Sequence, residues 1–317
     1  MSQANPTAPT TPIDVRALSE NHLRAPRTLW GDVRRRFLRH SLAVMGTVIL
    51  LFFVFAVLVG PWIYTVDREM INFDVPTMAP PSLASPMGTD DLGRDILARA
   101  LFGGRVTLAV GFTAMVISIF LGVLVGSVAG FFGGYVDQLL MWLTDTFLSL
   151  PTLPIFLLVV YLFRETLTRS FGPEVGIFFL VVCVIGLLTW MPTARVVRAA
   201  YQSLKHREFV EAATCLGIPR AAIIARHILP NVMSPIIVSA TLGVGTAIIT
   251  ESTLSFLGVG FPPDLPTWGR LVTDGQNFLE LAPHMSLLPC LLIFLTVVSI
   301  NYVGDGLRDA LDPRSRL

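Results

Sequence analysis

The chain has 317 residues, 53% hydrophobic and only 14% charged, with a mean hydropathy of +0.68. Water-soluble domains carry about a quarter charged residues, so that class is excluded, and a net charge of +1 with no basic domain excludes a nucleic-acid binder. Cys183, Cys215 and Cys290 are widely spaced and His22, His40, His206, His227 and His284 form no helical ligand pair, so neither a disulfide framework nor a metal site is expected.

Residues 1–40 read as an N-terminal tail. Asn5, Pro6, Pro9 and Pro12 among Thr and Ala predict disorder to about residue 25. Arg34, Arg35, Arg36 and Arg39 then form a basic collar at the membrane. From residue 41 to 317 the chain reads as one transmembrane domain. A helix crossing about 30 Å of hydrocarbon needs roughly 20 apolar residues. The windows 41–63, 106–136, 175–194, 227–250 and 281–304 are each free of Asp, Glu, Lys and Arg. A shorter run, 146–163, extends back through Leu139–Leu143 and is interrupted by Asp145, giving a sixth span. The first window follows about 40 polar residues and reads as an uncleaved anchor rather than a signal peptide. The expected fold is all-α, with six transmembrane helices.

Placing the N-terminus inside puts 16 Lys and Arg on the inner side and 7 on the outer, so both termini are expected in the cytoplasm. The first outer loop, 64–105, is long and acidic; the third, 257–280, is turn-rich and carries Trp268 as an expected interfacial anchor. Gly122, Gly126 and Gly130 line one face of the second span and predict close helix packing. Asp145 and Glu251 are acidic residues within spans, where charge is costly, so each is expected to pack or gate between helices or to line a pathway.

The segment 195–231 carries the most information. Phe209, Ala212, Ala213 and Leu216 fall at helical spacing beside Lys205, Arg207, Glu208 and Glu211. Gly217 suits a left-handed helix stop and Pro219 a new start, which predicts a short helix, a tight turn and a second helix, 219–229, ending at Pro230. Such a segment is either an amphipathic connector on the membrane surface or a plug for a groove on a cytoplasmic partner. The only lysine, Lys205, lies between Leu204 and His206, so no phosphate-cradling loop exists and any ATP must be bound elsewhere.

Glu211-Ala212-Ala213, with Gly217 and then Leu229-Pro230 at the proper distance, resembles the EAA loop of permeases in binding-protein-dependent importers of the ATP-binding cassette superfamily. His227 stands where the general pattern often has isoleucine, although 227–231, His-Ile-Leu-Pro-Asn, is typical of the peptide branch. The segments 86–95, 254–260 and 304–313 resemble the C-type permease of the dipeptide, oligopeptide and nickel transporter family, over roughly residue 28 to the C-terminus; segment 164–175 is longer than usual. The resemblance implies a type I importer architecture in the prokaryotic plasma membrane, with a second homologous permease, two cytoplasmic ATPase subunits and an extracytoplasmic binding protein. It implies no catalysis and no cofactor in this chain, ATP and Mg being used by the partners. Glu211, Ala212, Ala213, Gly217, Leu229 and Pro230 would couple to the ATPases. A stand-alone secondary carrier or channel is the second function class, with Asp145 and Glu251 as its ion-responsive pair. An intramembrane enzyme lacks the nucleophile, metal or carboxylate constellation it requires.

Overall fold

The computed structural model describes residues 29–70 and 76–311. The tail expected to be disordered lies outside the described residues. Helix α1 (Leu29–Arg39) leads through His40 into α2 (Ser41–Ile63), whose bounds coincide with the first apolar window. The next helices are α3 (Ile96–Phe132), α4 (Gly134–Ser149), α5 (Thr152–Phe171), α6 (Pro173–Leu188) and α7 (Met191–Leu204). A short α8 (Glu208–Cys215) precedes α9 (Arg220–Phe256), α10 (Trp268–Gly275) and α11 (His284–Leu311). Among the described residues, α2, α3, α9 and α11 are each long and apolar enough to cross a membrane, and the bent pairs α4–α5 and α6–α7 are so when each is taken together. Counting each bent pair as one span gives six candidate spans, in the all-α architecture that the hydropathy windows imply.

Several boundaries differ from the windows. α3 begins ten residues before 106, inside the expected outer loop, because Asp95 caps it by accepting from Ala98 N (2.9 Å) and its arginines find partners. The third span is not straight: α4 and α5 meet at 87°. Pro151 forces the preceding Leu150 into an extended conformation (φ −77°, ψ 142°), which ends α4. Segment 164–175 is no loop, since α5 and α6 form a helical hairpin that turns on Gly172 at φ 84°. Nor does a helix end at Pro230. Residues 223–228 widen into a π turn in which Leu229 N reaches Ile224 O, and α9 runs on through the proline to Phe256.

The bundle is held by close backbone approach as much as by side-chain area. Added Cβ atoms at Gly122, Gly126 and Gly130 of α3 would lie 2.7 Å from Thr193 Cβ, 2.5 Å from Ala194 O and 2.6 Å from Tyr201 Cβ, all on α7. Gly46 of α2 similarly faces Ser299 O of α11 at 2.7 Å. The main core joins α3, α5, α6 and α9 around Val110, Phe156, Val181, Ile185 and Leu254. Trp268 is not an interfacial anchor. It is 1% exposed, donates Nε1–H to Ala100 O (2.9 Å) and meets Phe53 edge-on, because α10 folds its apolar face back between α3 and α11.

Pro61, near the end of α2, offers no N–H to the carbonyl of Val57. Arg105 of α3 supplies the donor, with Nε to Val57 O at 2.9 Å and Nη2 to Leu58 O at 2.8 Å. Replacing Arg105 by Met should therefore destabilise the protein by about 1–3 kcal/mol, the cost of orphaning a buried acceptor, read as a lower melting temperature in detergent. Pro61→Ala restores the helical N–H and should recover much of that loss in the double variant. Equal losses with and without the proline would refute this pairing.

Candidate functional site

Helix α8 is fixed from behind. Val210 (4% exposed) and Ala213 (3%) enter a cluster with Val197 and Tyr201 of α7 and Ile223, Ile228, Val232 and Ile236 of α9. Tyr201 is fully buried and donates its hydroxyl to Ile224 O (3.1 Å), tying α7 to the π turn. At the C-terminus of α8, Gly217 has φ 73°; Ile218 N bonds Ala213 O (3.2 Å) and Gly217 N bonds Thr214 O (3.0 Å). That bond pair is a Schellman stop, closed by Ile218 against the same cluster.

The sequence grouping of Phe209, Ala212, Ala213 and Leu216 on one face needs correction. Ala213 points inward with Val210, whereas Phe209 (40% exposed), Ala212 and Leu216 (80%) face solvent together with Glu208 and Glu211. Of the two adjacent alanines, Ala213 is buried and Ala212 exposed, so the boundary between the faces runs between them. Leu229 and Pro230 lie beyond the π turn, in the helical entry to α9. The segment 195–231 is thus mostly helical: Arg195 belongs to α7, and only 205–207 and 216–219 are non-helical.

Midway along α3 and α9 lies a cleft of about 370 Å³, lined by Met115, Ser118 and Ile119 on one side and Ser239, Leu242, Gly243 and Thr246 on another. The breaks between α4 and α5 (Phe147, Leu148, Thr152) and between α6 and α7 (Leu188, Thr189, Met191, Pro192, Thr193) complete its wall. The lining is apolar with hydroxyls and carries no charge.

Asp145 and Glu251 are not brought together. Asp145 pairs with Arg195 of α7 (2.6 Å), both more than half exposed. The pair lies one turn from the cleft on each helix, since Leu148, Met191 and Pro192 line it. Glu251 is fully buried, accepting from Ser255 Oγ (2.8 Å) and more distantly from Thr107 (3.4 Å) and Ser252 (3.5 Å), and does not line the cleft. It knots α9 to α3. A second ion pair, unseen in the sequence reading, joins Asp137 of α4 to Arg198 of α7 through two bonds (2.5 and 2.6 Å), with Gln202 adding a third (3.3 Å).

At the end of the bundle away from α8, motif 86–95 folds around Asp90. Its carboxylate accepts from Leu92 N and Arg94 N (3.0 and 2.8 Å), Arg94 Nε (2.7 Å) and Arg99 Nη1 (2.6 Å). Arg99, 1% exposed, also reaches Pro263 O (3.3 Å) and Asp274 (3.2 Å). The 86–95 segment, α3 and α10 are therefore locked by one charged network. Sequence spacing could not reveal it, because Arg99 and Asp274 are 175 residues apart.

Comparison with known proteins agrees with this geometry. Residues 122–317 match the family of binding-protein-dependent transport system inner membrane components, and residues 28–81 match the N-terminal transmembrane domain of oligopeptide transport permease C. The oligopeptide transport system permease protein of Haemophilus influenzae is 38% identical over 92% of this chain and 90% of its own length. The Escherichia coli K12 protein of that name is 37% identical over 92% and 93%. A glutathione transport system permease protein of Pectobacterium atrosepticum is 34% identical over the same shares, 92% and 93%. The chain belongs to the family of binding-protein-dependent transport system inner membrane components. It is a multi-span permease of the bacterial inner membrane, one component of an ATP-binding cassette importer.

Asp91, next to the charged network, has its carboxyl pushed above the ordinary value by burial and then by Asp90. A raised acid pKa means that the folded state holds this proton more tightly, so stability falls as pH rises through the window between the ordinary and the raised value. Asp91→Asn should raise the melting temperature at neutral pH and lose that advantage as the pH drops below the ordinary carboxylate range. A gain independent of pH would contradict this origin.

Proposed function

We propose that this chain is one of two homologous permease subunits of an importer for di- and oligopeptides. In this reading both termini are cytoplasmic, α8 is the coupling helix, and the chain itself is non-catalytic. Two cytoplasmic ATPase subunits bind ATP and Mg, and an extracytoplasmic binding protein delivers the peptide. The carrying observation is the outward face of α8: Phe209, Ala212 and Leu216 present apolar surface beside Glu208 and Glu211, while the opposite face is anchored in a core. A short rigid helix anchored on one side and apolar on the other suits a groove on a partner. The peptide assignment draws on relatives named for oligopeptide and glutathione transport.

The cleft between the broken spans is this chain's half of the pathway. Its hydroxyl and apolar lining holds no fixed charge that would trap one kind of side chain, which suits cargo of varied sequence. Ion pairs in a span face water or another subunit rather than lipid. The exposed Asp145–Arg195 pair accordingly gates the α8 side of the cleft, while the more buried Asp137–Arg198 pair keeps α4 attached to α7. Nucleotide and loaded binding protein each favour one of two arrangements of the spans.

ATP hydrolysis by the complex in nanodiscs, with and without peptide-loaded binding protein, tests the coupling role. Glu211→Arg, or Leu216→Asp on the same outward face, should abolish stimulation while leaving this chain folded; Gly217→Pro should do the same by destroying the left-handed stop. Unchanged stimulation in all three would sink the assignment. Peptide uptake tests the gate: Asp145→Arg should reduce it at least tenfold, and the swap Asp145→Arg with Arg195→Asp should restore a substantial part. A swap no better than the single variant, in a complex that still assembles, would remove the pair from the gate.

A further inference from the structure

Helix α1 carries charge that has no part in the proposed pathway or coupling helix. Arg34, Arg35 and Arg39 are exposed, and none of the three has a hydrogen bond, ion pair or ring contact among the described residues. Leu38 stands between them, 56% exposed. The other side of the helix is docked: Phe37 lies against Gly306 of α11, where a Cβ would come within 3.2 Å of its ring. His40 then fixes the junction, its Nδ1 accepting from Ala43 N (3.1 Å) as the N-cap of α2 and its Nε2 lying 3.6 Å from Asp309. α1 is consequently held in a set position at the start of a membrane span, its arginine face directed away from the bundle.

That face continues into exposed apolar surface on a membrane-spanning helix. Leu42, Met45 and Val48 on the first turns of α2 are all exposed apolar side chains. Leu38 among the arginines extends the apolar strip into the headgroup layer, where guanidinium groups reach outward to phosphates while their stems lie on hydrocarbon. A soluble acidic partner would match the charge but not the exposed leucine or the continuity with α2. We propose that Arg34, Arg35 and Arg39 form a binding surface for the headgroups of anionic phospholipids and so anchor the entry to α2.

The test uses the assembled complex in nanodiscs of phosphatidylcholine with increasing fractions of phosphatidylglycerol. Readouts are the phosphatidylglycerol retained on mild extraction, quantified by mass spectrometry, and the melting temperature. The wild type should retain phosphatidylglycerol in preference to phosphatidylcholine and melt higher as its fraction rises. Each Arg→Gln change should weaken the preference roughly fivefold; R34Q/R35Q/R39Q should abolish it, and the corresponding triple lysine variant should keep most of it. If the triple glutamine variant fails to assemble, R35Q and R39Q singly still test the surface, each by its roughly fivefold loss of preference. An unchanged preference in these variants would overturn the proposal. So would an equal rise in melting temperature from inorganic phosphate in pure phosphatidylcholine discs.

Discussion

The contact on which the rest of the molecule depends is the close approach of α3 and α7 across Gly122, Gly126 and Gly130. Lipid tails are as apolar as leucine, so no hydrophobic force drives two helices together inside the bilayer; dense backbone contact must serve instead. With no Cβ at these positions, the α3 backbone comes against Thr193, Ala194 and Tyr201. Because α7 is fixed along this line, Tyr201 is buried where it bonds the π turn, and Val197 and Tyr201 form the floor on which Val210 and Ala213 of α8 rest. The attitude of α8, outside the bundle, is therefore set by glycines within it. The same contact presents Arg195 and Arg198 to α4, so one helix pairing positions the outward face of α8 and both ion pairs.

A second constraint is that backbone polar groups in hydrocarbon must be satisfied within the protein. Prolines challenge it at several places, and the chain answers differently at each. At Pro61 a guanidinium from α3 replaces the missing donor. At Pro230 the helix widens into a π turn and continues. At Pro151, and near Pro192, the helix breaks outright, with bends of 87° and 41°. Irregular backbone at membrane depth is tolerated only where it is buried in protein or lines a cavity, and both breaks border the same 370 Å³ cleft. The position of the cleft thus follows from where the prolines fall.

How much of this could be read from the sequence depends on whether the signal was local. The first apolar window matched α2 residue for residue, since hydrophobicity alone defines it. The α8 stop was legible from Gly217 and Pro219, because a left-handed glycine and a restart are local backbone requirements. Windows that halt at a charge missed the first ten residues of α3, where Arg99 and Arg105 are paired across the fold and so cost little. The bend at Leu150 was missed because hydropathy does not register direction. Which of two adjacent alanines faces inward was also lost, since Val210, rather than Ala212, completes the buried face of α8. Trp268 looked interfacial only while Ala100 and Phe53, far away in sequence, were unknown as its partners.

Three surfaces remain incomplete on this chain: the outward face of α8, the exposed Asp145–Arg195 pair and the open cleft beside it. Each alone has an ordinary explanation, because single exposed apolar residues and surface ion pairs are common in proteins. Their placement joins them. The α8 face and the ion pair both rest on α7, the pair lies one turn from the cleft wall, and Asp137–Arg198 holds α4 to α7 on the other side of that pair. Val210 and Ala213 of α8 bear on α7 at Val197 and Tyr201, so in the proposed mechanism a displacement of α8 reaches Arg198, beside that contact, before Arg195, which stands nearer the cleft. In that proposed mechanism the bidentate Asp137–Arg198 pair keeps α4 attached while the exposed, singly bonded Asp145–Arg195 pair is the one that gives way, opening the cleft at its rim.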